Sequence, residues 1–428
     1  MSVFVSSMKK KLKGYKMLTK NKEMISFNPD SVSIPLSHRG SKEYQLFVKE
    51  NDHVKIGQLI GATSEPFYIP FYASVSGIVE GVESIISDTL SKVDHLVIKN
   101  DKKYEIIKDL SLIDYQKSSA EELIEFCKKM GIVGLGGAGF PTYIKYQAKN
   151  IHTLVINAVE CEPYLTSDCH NLVLDDDQGF LQRGIKALIK MANLEKVIYA
   201  VKKYEDTNVE EIISYFTSLD PKIEVRFVAD RYPNGWERTL IYELFKKRYD
   251  KLTSELGIVV NNPSTIIAFG HAMVDGIGIT RKMVTVSGDA LVNPTVCDVP
   301  VGTKVKDIID HLGGYNNEDI YLVAGGPMMG QVIPNDQWVI SLSNNAVSAM
   351  KVEQSAPTLE CLSCSRCIKN CPAGLQPTSI MKHAKIKDKA TLQKLGVLNC
   401  IECGLCSYVC PSKIEVTDSV RKAKRLAR

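Results

Sequence analysis

The sequence predicts a multidomain chain of α/β and α+β class, and three features point that way. Short β-prone runs fill residues 31–100, strands and helices alternate from 118 to 272, and eight of the twelve cysteines crowd between Cys361 and Cys410. A chain of 428 residues also exceeds what one core organises, since single cores stop growing near ~250–300 residues. The expected units are an N-terminal extension (1–30), a lipoyl-like barrel-sandwich β domain (31–100), an α/β domain (118–272), a β-grasp module (280–350) and a helical cysteine-rich domain (355–428).

In the first β unit the runs are Ser33 to Leu36, Tyr44 to Val48, Val54 to Ile60 and Ala73 to Val79, each bounded by turn residues. The phrases around Gly57 and Gly77 resemble the two halves of a biotinyl/lipoyl barrel. A swinging-arm carrier needs a lysine at the tip between the halves, and none lies between Lys55 and Lys92. A structural or docking role follows. Next come a helical pattern at Glu121 to Met130, a strand at His152 to Asn157, a helix at Gly179 to Met191 and a strand at Lys196 to Val201. A helix at Val209 to Ser218 and strands at Lys222 to Val228 and Leu256 to Val260 complete the series. Repeated βα units predict a largely parallel sheet. Met283 to Gly288 followed by a helix at Val305 to Leu312 gives the β-grasp pattern.

Composition excludes several function classes. Hydrophobic and charged fractions of 44% and 24% are ordinary for a globular protein. A net charge of +4, dispersed over the chain, does not call for nucleic acid. No apolar run approaches the ~18 residues of a membrane span, and the N-terminus lacks a signal-peptide core. A cytoplasmic location is expected. The basic ends, Lys9 to Lys16 and Arg421 to Arg428, read as solvated tails or docking surfaces, a peripheral membrane contact among them.

The cysteine runs carry the strongest chemical signal. Cys361, Cys364, Cys367 and Cys371 precede Pro372, and Cys400, Cys403, Cys406 and Cys410 precede Pro411. Both read C-x₂-C-x₂-C-x₃-C-P, the spacing of two-cluster bacterial ferredoxins, where the fourth cysteine serves the opposite cluster. Cluster one is expected on Cys361, Cys364, Cys367 and Cys410, and cluster two on Cys400, Cys403, Cys406 and Cys371. Two [4Fe–4S] clusters make the chain an electron carrier. Zinc would leave the Cys-Pro ends unexplained. The segment from Ser379 to Leu398 is expected to be helical.

A second signal is Gly134-Leu-Gly136-Gly137-Ala138-Gly139, which satisfies G-x-G-x-x-G in the wrong place for a Rossmann fold. A helix precedes it and the first strong strand follows it. Backbone of this kind can still approach a phosphate or a flat ring. Around it stand Phe140-Pro-Thr142 with Lys145, then Asn157-Ala-Val-Glu160-Cys-Glu162-Pro163 at a strand end, Trp236-Glu237, and Asn261-Asn262-Pro-Ser-Thr265. Carboxyl ends of parallel strands are where such sheets bind ligands.

These motifs resemble the flavin/NADH subunit of respiratory complex I and, more closely, the RnfC family of electron-transport proteins. Gly325 to Gly330 (Gly-Gly-Pro-Met-Met-Gly) and the cysteine pair fit that family too. The resemblance implies FMN held by Gly136, Gly137, Gly139, Lys145, Asn157, Glu160, Asn261, Asn262 and Thr265. It places Phe140 and Glu162 toward the nicotinamide side, with Glu237 nearby. NADH as electron donor or acceptor is implied, with a partner that is either a reductase such as proline reductase or an Rnf-type membrane complex. Trp236 stands where relatives carry a small or acidic residue. The Gly-Gly-Ile-His-Pro-Pro-like opening typical of the membrane complex is missing, which points to a soluble branch serving proline reductase. The competing reading is a non-catalytic iron–sulfur adaptor with an empty flavin site.

Cys127, Cys161, Cys169 and Cys297 show no ligand spacing and read as buried thiols. Cys161 alone, between two acids, merits a redox test. His152, His170 and His271 are assigned no catalytic role, and Trp236 and Trp338 read as packing residues.

Overall fold

A computed structural model describes residues 11–41, 43–175, 178–203, 208–352 and 357–428. The expected extension therefore has its first ten residues, Lys9 among them, outside the described residues.

The first β unit folds as two facing sheets. One has the order Ser31–Pro35, Lys92–Asn100, Gly77–Ile86 and His53–Val54, and the other Tyr44–Leu46, Leu59–Thr63 and Ile69–Tyr72. Val32, Ile34, Val54, Ile60, Val79, Leu96 and Ile98 fill the space between them. The single run expected from Val54 to Ile60 is cut in two at Gly57, whose φ of +81° turns the chain from one sheet to the other.

The α/β unit has a four-stranded, wholly parallel sheet in the order Ile223–Val228, Lys196–Lys202, Thr153–Ala158, Ile258–Asn261. Its strands read as near-continuous apolar runs because both faces are covered. Helices Phe180–Ala192 and Pro263–Asp275 cross in backbone contact. A Cβ on Gly184 would stand 2.3 Å from the Ile266 carbonyl oxygen, and one on Gly270 2.0 Å from that of Phe180. Asn262 caps the second of these helices, accepting from the Ser264 amide, with Pro263 in its first turn.

The β-grasp unit is a six-stranded mixed sheet closed by helix Val305–His311. Its edge strand is Ile25–Ser26, paired parallel with Cys297 and Asp298 of strand Thr295–Pro300. That pairing gives the N-terminal extension a strand: a sheet edge supplies the order that local periodicity lacks.

The cysteine-rich unit is helical, as expected, around Ile380, Leu392, Val397, Val420 and Ala423. The helix anticipated from Ser379 to Leu398 is three pieces, Pro377–Lys385, Lys389–Lys394 and the 3₁₀ turn Val397–Asn399. Left-handed Lys387 and Gly396 (φ +54° and +69°) break it. Among the described residues no helix is long and apolar enough to cross a membrane.

Candidate functional site

The glycine run is a loop closed on itself. Val133 and Pro141 pair as an antiparallel bridge, Gly134 donates to the Phe140 carbonyl, and Gly139 donates to that of Gly134, both at 2.9 Å. A closed loop outside the parallel sheet explains why the Rossmann context fails. Gly137 (φ +107°) and Gly139 (φ +60°) hold conformations that a side chain would strain, and a Cβ on Gly136 would stand 2.8 Å from Asn262 Nδ2. The exposed amides of Gly136, Gly137 and Ala138 have no acceptor among the described residues. Three adjacent unspent donors make a cradle for phosphate or a polar ring edge.

Two side chains anchor this cradle to its neighbours. Thr265 Oγ1 accepts from the Leu135 amide at 2.9 Å, and Lys282 of the β-grasp sheet donates to the Leu135 carbonyl at 2.7 Å. Lys282 is 5% exposed, and burial lowers its ammonium pKa to about 7. Asn262 and Ser264 both donate to the carboxylate of Asp168, whose own amide donates to Glu160 Oε1 at 3.0 Å. Asn157, at the strand end, donates to the Gly235 carbonyl at 2.8 Å. The structure thus brings the glycines, Asn157, Glu160, Asn262 and Thr265 together around the carboxyl ends of the strands. Asp168 and Lys282, which carry no motif, hold them in place.

Lys145 lies on the short helix Thr142–Tyr146 and donates to the Val260 carbonyl at 2.6 Å, with Asn261 Oδ1 at 3.5 Å. Burial lowers its pKa, and the nearby Glu237 carboxylate offsets part of that shift. Glu237 in turn accepts from the Tyr249 hydroxyl at 3.0 Å. Phe140 meets Phe67 of the barrel edge-on at 5.6 Å, and the Arg39 guanidinium lies 5.4 Å over its ring. His38 and Arg39 also contact the Gly139 and Ala138 carbonyls. The barrel therefore closes one side of the loop, a role that its own sequence pattern did not disclose. Glu162, expected with Phe140 toward the nicotinamide side, has its carboxylate on the amides of Met328 and Met329, at 2.6 and 3.0 Å. Burial pushes that carboxyl up to about 7, and the two amides pull against it.

The basic N-terminal segment departs most from expectation. Lys16 is not a solvated tail residue: its ammonium donates to the Leu165 carbonyl and lies 3.9 Å from Glu160 Oε2, with 13% of the side chain exposed. Burial lowers the Lys16 pKa and raises that of Glu160, so desolvation outweighs their mutual attraction. Tyr15 stacks on Tyr164 with ring centroids 4.8 Å apart. Cys161 is half-buried, and desolvation raises its pKa to about 11, the behaviour of an inert thiol. Cys127 and Cys297 are buried as expected. Trp338 is core, whereas Trp236 is 36% exposed beside a cleft shared with Arg238, Met329, Cys400 and Glu402.

The eight cluster cysteines sort as the spacing requires. Cys361, Cys364, Cys367 and Cys410 line one cavity. Cys371 groups with Cys400, Cys403 and Cys406, within electrostatic reach of each. Amides already point at the sulfurs, from Leu375 to Cys371 at 3.3 Å and from Glu402 to Cys400 at 3.4 Å. Among the described residues no set of three or more His, Cys, Asp or Glu closes on a single ion. A cubane carries its four thiolates outward on separate irons and requires a wider spread than one zinc ion. The donor chemistry and grouping fit two such clusters.

Comparison with known proteins agrees with this geometry. Residues 10–103 match the RnfC barrel sandwich hybrid domain, 127–271 the Nuo51 FMN-binding domain, 283–332 the SLBB domain and 360–415 a 4Fe-4S dicluster domain. One relative, from the proton-translocating ferredoxin:NAD(+) oxidoreductase complex of Clostridium ljungdahlii, is 31% identical over 380 residues, spanning 85% of this chain and 81% of that one. Another, from the Na(+)-translocating ferredoxin:NAD(+) oxidoreductase complex of Acetobacterium woodii, is 30% identical, spanning 83% and 82%. A third, from the ion-translocating oxidoreductase complex of Rhodobacter capsulatus, is 30% identical, spanning 86% and 72%. A crystal structure of NAD+-reducing [NiFe]-hydrogenase shares the fold over 76% of this chain and 69% of that one, with a TM-score of 0.50 and 16% identity. With an FMN-binding domain, a dicluster domain and relatives from these redox complexes matched along most of its length, the chain belongs to the RnfC family of electron-transport proteins.

Proposed function

We propose that the protein transfers electrons between NADH and a partner protein, with FMN at the glycine cradle as the point where hydride chemistry meets one-electron chemistry. The observation that carries this reading is the row of exposed amides at Gly136, Gly137 and Ala138, without an acceptor among the described residues, on a loop packed at Gly136 against Asn262 after a strand end. Bound FMN supplies the conversion of a two-electron hydride into single electrons, which iron–sulfur clusters can accept. NADH is oxidised to NAD+, two electrons leave through the clusters, and the remaining proton passes to solvent. Lys145, buried beside Asn261 and Glu237, supplies the positive charge for a phosphate. Phe140, flanked by Phe67 and Arg39, forms the flat wall on the nicotinamide side.

The order of the clusters follows from burial. Cys403 is 8% exposed and adjoins the flavin domain through Tyr232, whereas Cys361 and Cys364 are exposed. Cys371, Cys400, Cys403 and Cys406 would hold the cluster nearer the flavin domain, suited to receiving electrons, and Cys361, Cys364, Cys367 and Cys410 the one suited to passing them outward. Residues 357–428 carry thirteen Lys and Arg against five Asp and Glu, a surface suited to an acidic redox partner. We take that partner to be a membrane electron-transport complex, because the relatives are subunits of ion-translocating oxidoreductase complexes. Proline reductase is the competing acceptor.

Anaerobic purification, flavin extraction and titration with NADH test the reading. The expected result is bound or bindable FMN, bleached by NADH, followed by reduction of both clusters. Intact clusters with no flavin bound or bindable would establish the adaptor reading instead.

A further inference from the structure

The α/β, β-grasp and cysteine-rich units meet at one buried point that no motif marks. Tyr232 is 1% exposed and its hydroxyl donates to the Cys403 carbonyl at 2.8 Å. Glu162, near enough to act electrostatically on the same hydroxyl, has its carboxylate accepting from the amides of Met328 and Met329. Two glycines permit this approach. A Cβ on Gly326 would stand 1.9 Å from Cγ of Glu162, and one on Gly404 would stand 2.7 Å from the Met328 carbonyl oxygen.

We propose that Tyr232 and Glu162 are positioning residues for the electron step into cluster two: they pin the Cys403–Gly404 turn and the Met328–Met329 turn to the carboxyl ends of the parallel strands. This inference rests on the relay reading above. Units joined in one chain move relative to one another unless their interface is large or locked. A half-buried carboxylate and a buried phenol are costly to leave unpaired, so their joint favours one arrangement over looser ones. Both side chains leave the α/β unit and bond to the two other units, which makes the joint a three-way lock. Only an electron crosses it. The flavin domain loses one electron, cluster two gains one, and no bond in Tyr232 or Glu162 forms or breaks.

Tyr232→Phe in the full chain, loaded with flavin and clusters, tests the lock. Stopped-flow mixing with NADH should bleach flavin at the unmodified rate, while cluster-two reduction slows about fivefold, the docked population lost with one buried hydrogen bond. Rapid-freeze electron paramagnetic resonance separates the two clusters. Hydrogen exchange, which needs no turnover, should quicken at residues 325–330 and 400–406. Glu162→Gln, which keeps one acceptor, should quicken it less than Glu162→Ala. Unchanged cluster-two kinetics with unchanged exchange in folded, iron-replete Tyr232→Phe would overturn the inference. Should Tyr232→Phe not fold, equal exchange in Glu162→Gln, Glu162→Ala and the unmodified chain would overturn it. An unmodified chain that binds no flavin defeats the relay reading instead, and the exchange measurement still tests the lock.

Discussion

Cys361 and Cys364 stand exposed on the loop before the short helix Arg366–Lys369, while Cys403, which occupies in the second run the place of Cys364, is covered by Tyr232 and Leu405. Two runs with identical spacing therefore sit in opposite surroundings. Spacing sets how thiolates converge on a cubane, whereas the neighbouring units set how far that cubane lies from solvent and from other redox groups.

The largest expected effect would break the proposed order of the two sites. Cys403→Ala should lower iron from about eight to about four atoms per chain and abolish NADH-driven reduction of the remaining cluster. Cys364→Ala should lose the same iron yet leave cluster two reducible by NADH. Equal behaviour of the two variants in a redox titration followed by paramagnetic resonance would remove the assigned polarity.

Packing gives the next contrast. Leu405 is 1% exposed beneath cluster two, so Leu405→Ala should cost about 2–5 kcal/mol in urea unfolding. Leu362, 66% exposed beside cluster one, should change stability by no more than about 0.5 kcal/mol when replaced by Ala. Chelator under mild oxidation should strip cluster one first, because two of its ligands, Cys361 and Cys364, face water. Stripping in the reverse order would mean that cluster two opens readily in solution. Salt is the smallest effect. Raising ionic strength to about 0.15 M should slow delivery to an acidic acceptor on the order of threefold while flavin bleaching by NADH holds steady.

How much of this was legible in the sequence differs by region for physical reasons. The cysteine spacing and the parallel strands were readable because both are local: ligand convergence needs short gaps, and strands buried on two faces need apolar runs. The residues that brace the flavin cradle were not. Asp168 and Lys282 act through contacts with segments about a hundred residues away in sequence, and nothing in their neighbourhoods marks a buried charge. Arg39 and Phe67 were hidden for the same reason, since the barrel's role depends on what it faces. Lys16 was misleading: a lysine in a basic stretch looks solvated until a carboxylate and a carbonyl from the sheet end enclose it. The glycine loop lay between these cases, with its composition readable and its closure by the Val133–Pro141 bridge not.

The edge strand Ile25–Ser26 has a consequence for the order of assembly. Its partners, Cys297 and Asp298, leave the ribosome long after it does, some tens of seconds at about 5–20 residues per second. Leu12, which packs with Cys403 and Leu405, must wait longer still. By the end of that interval the barrel and the parallel sheet have all of their own residues, while the segment bearing Tyr15 and Lys16 still lacks the sheet edge that fixes its course. The segment that covers Glu160 through Lys16 is thus made well before the residues that hold it, and it is secured only after Cys403 and Leu405 have followed.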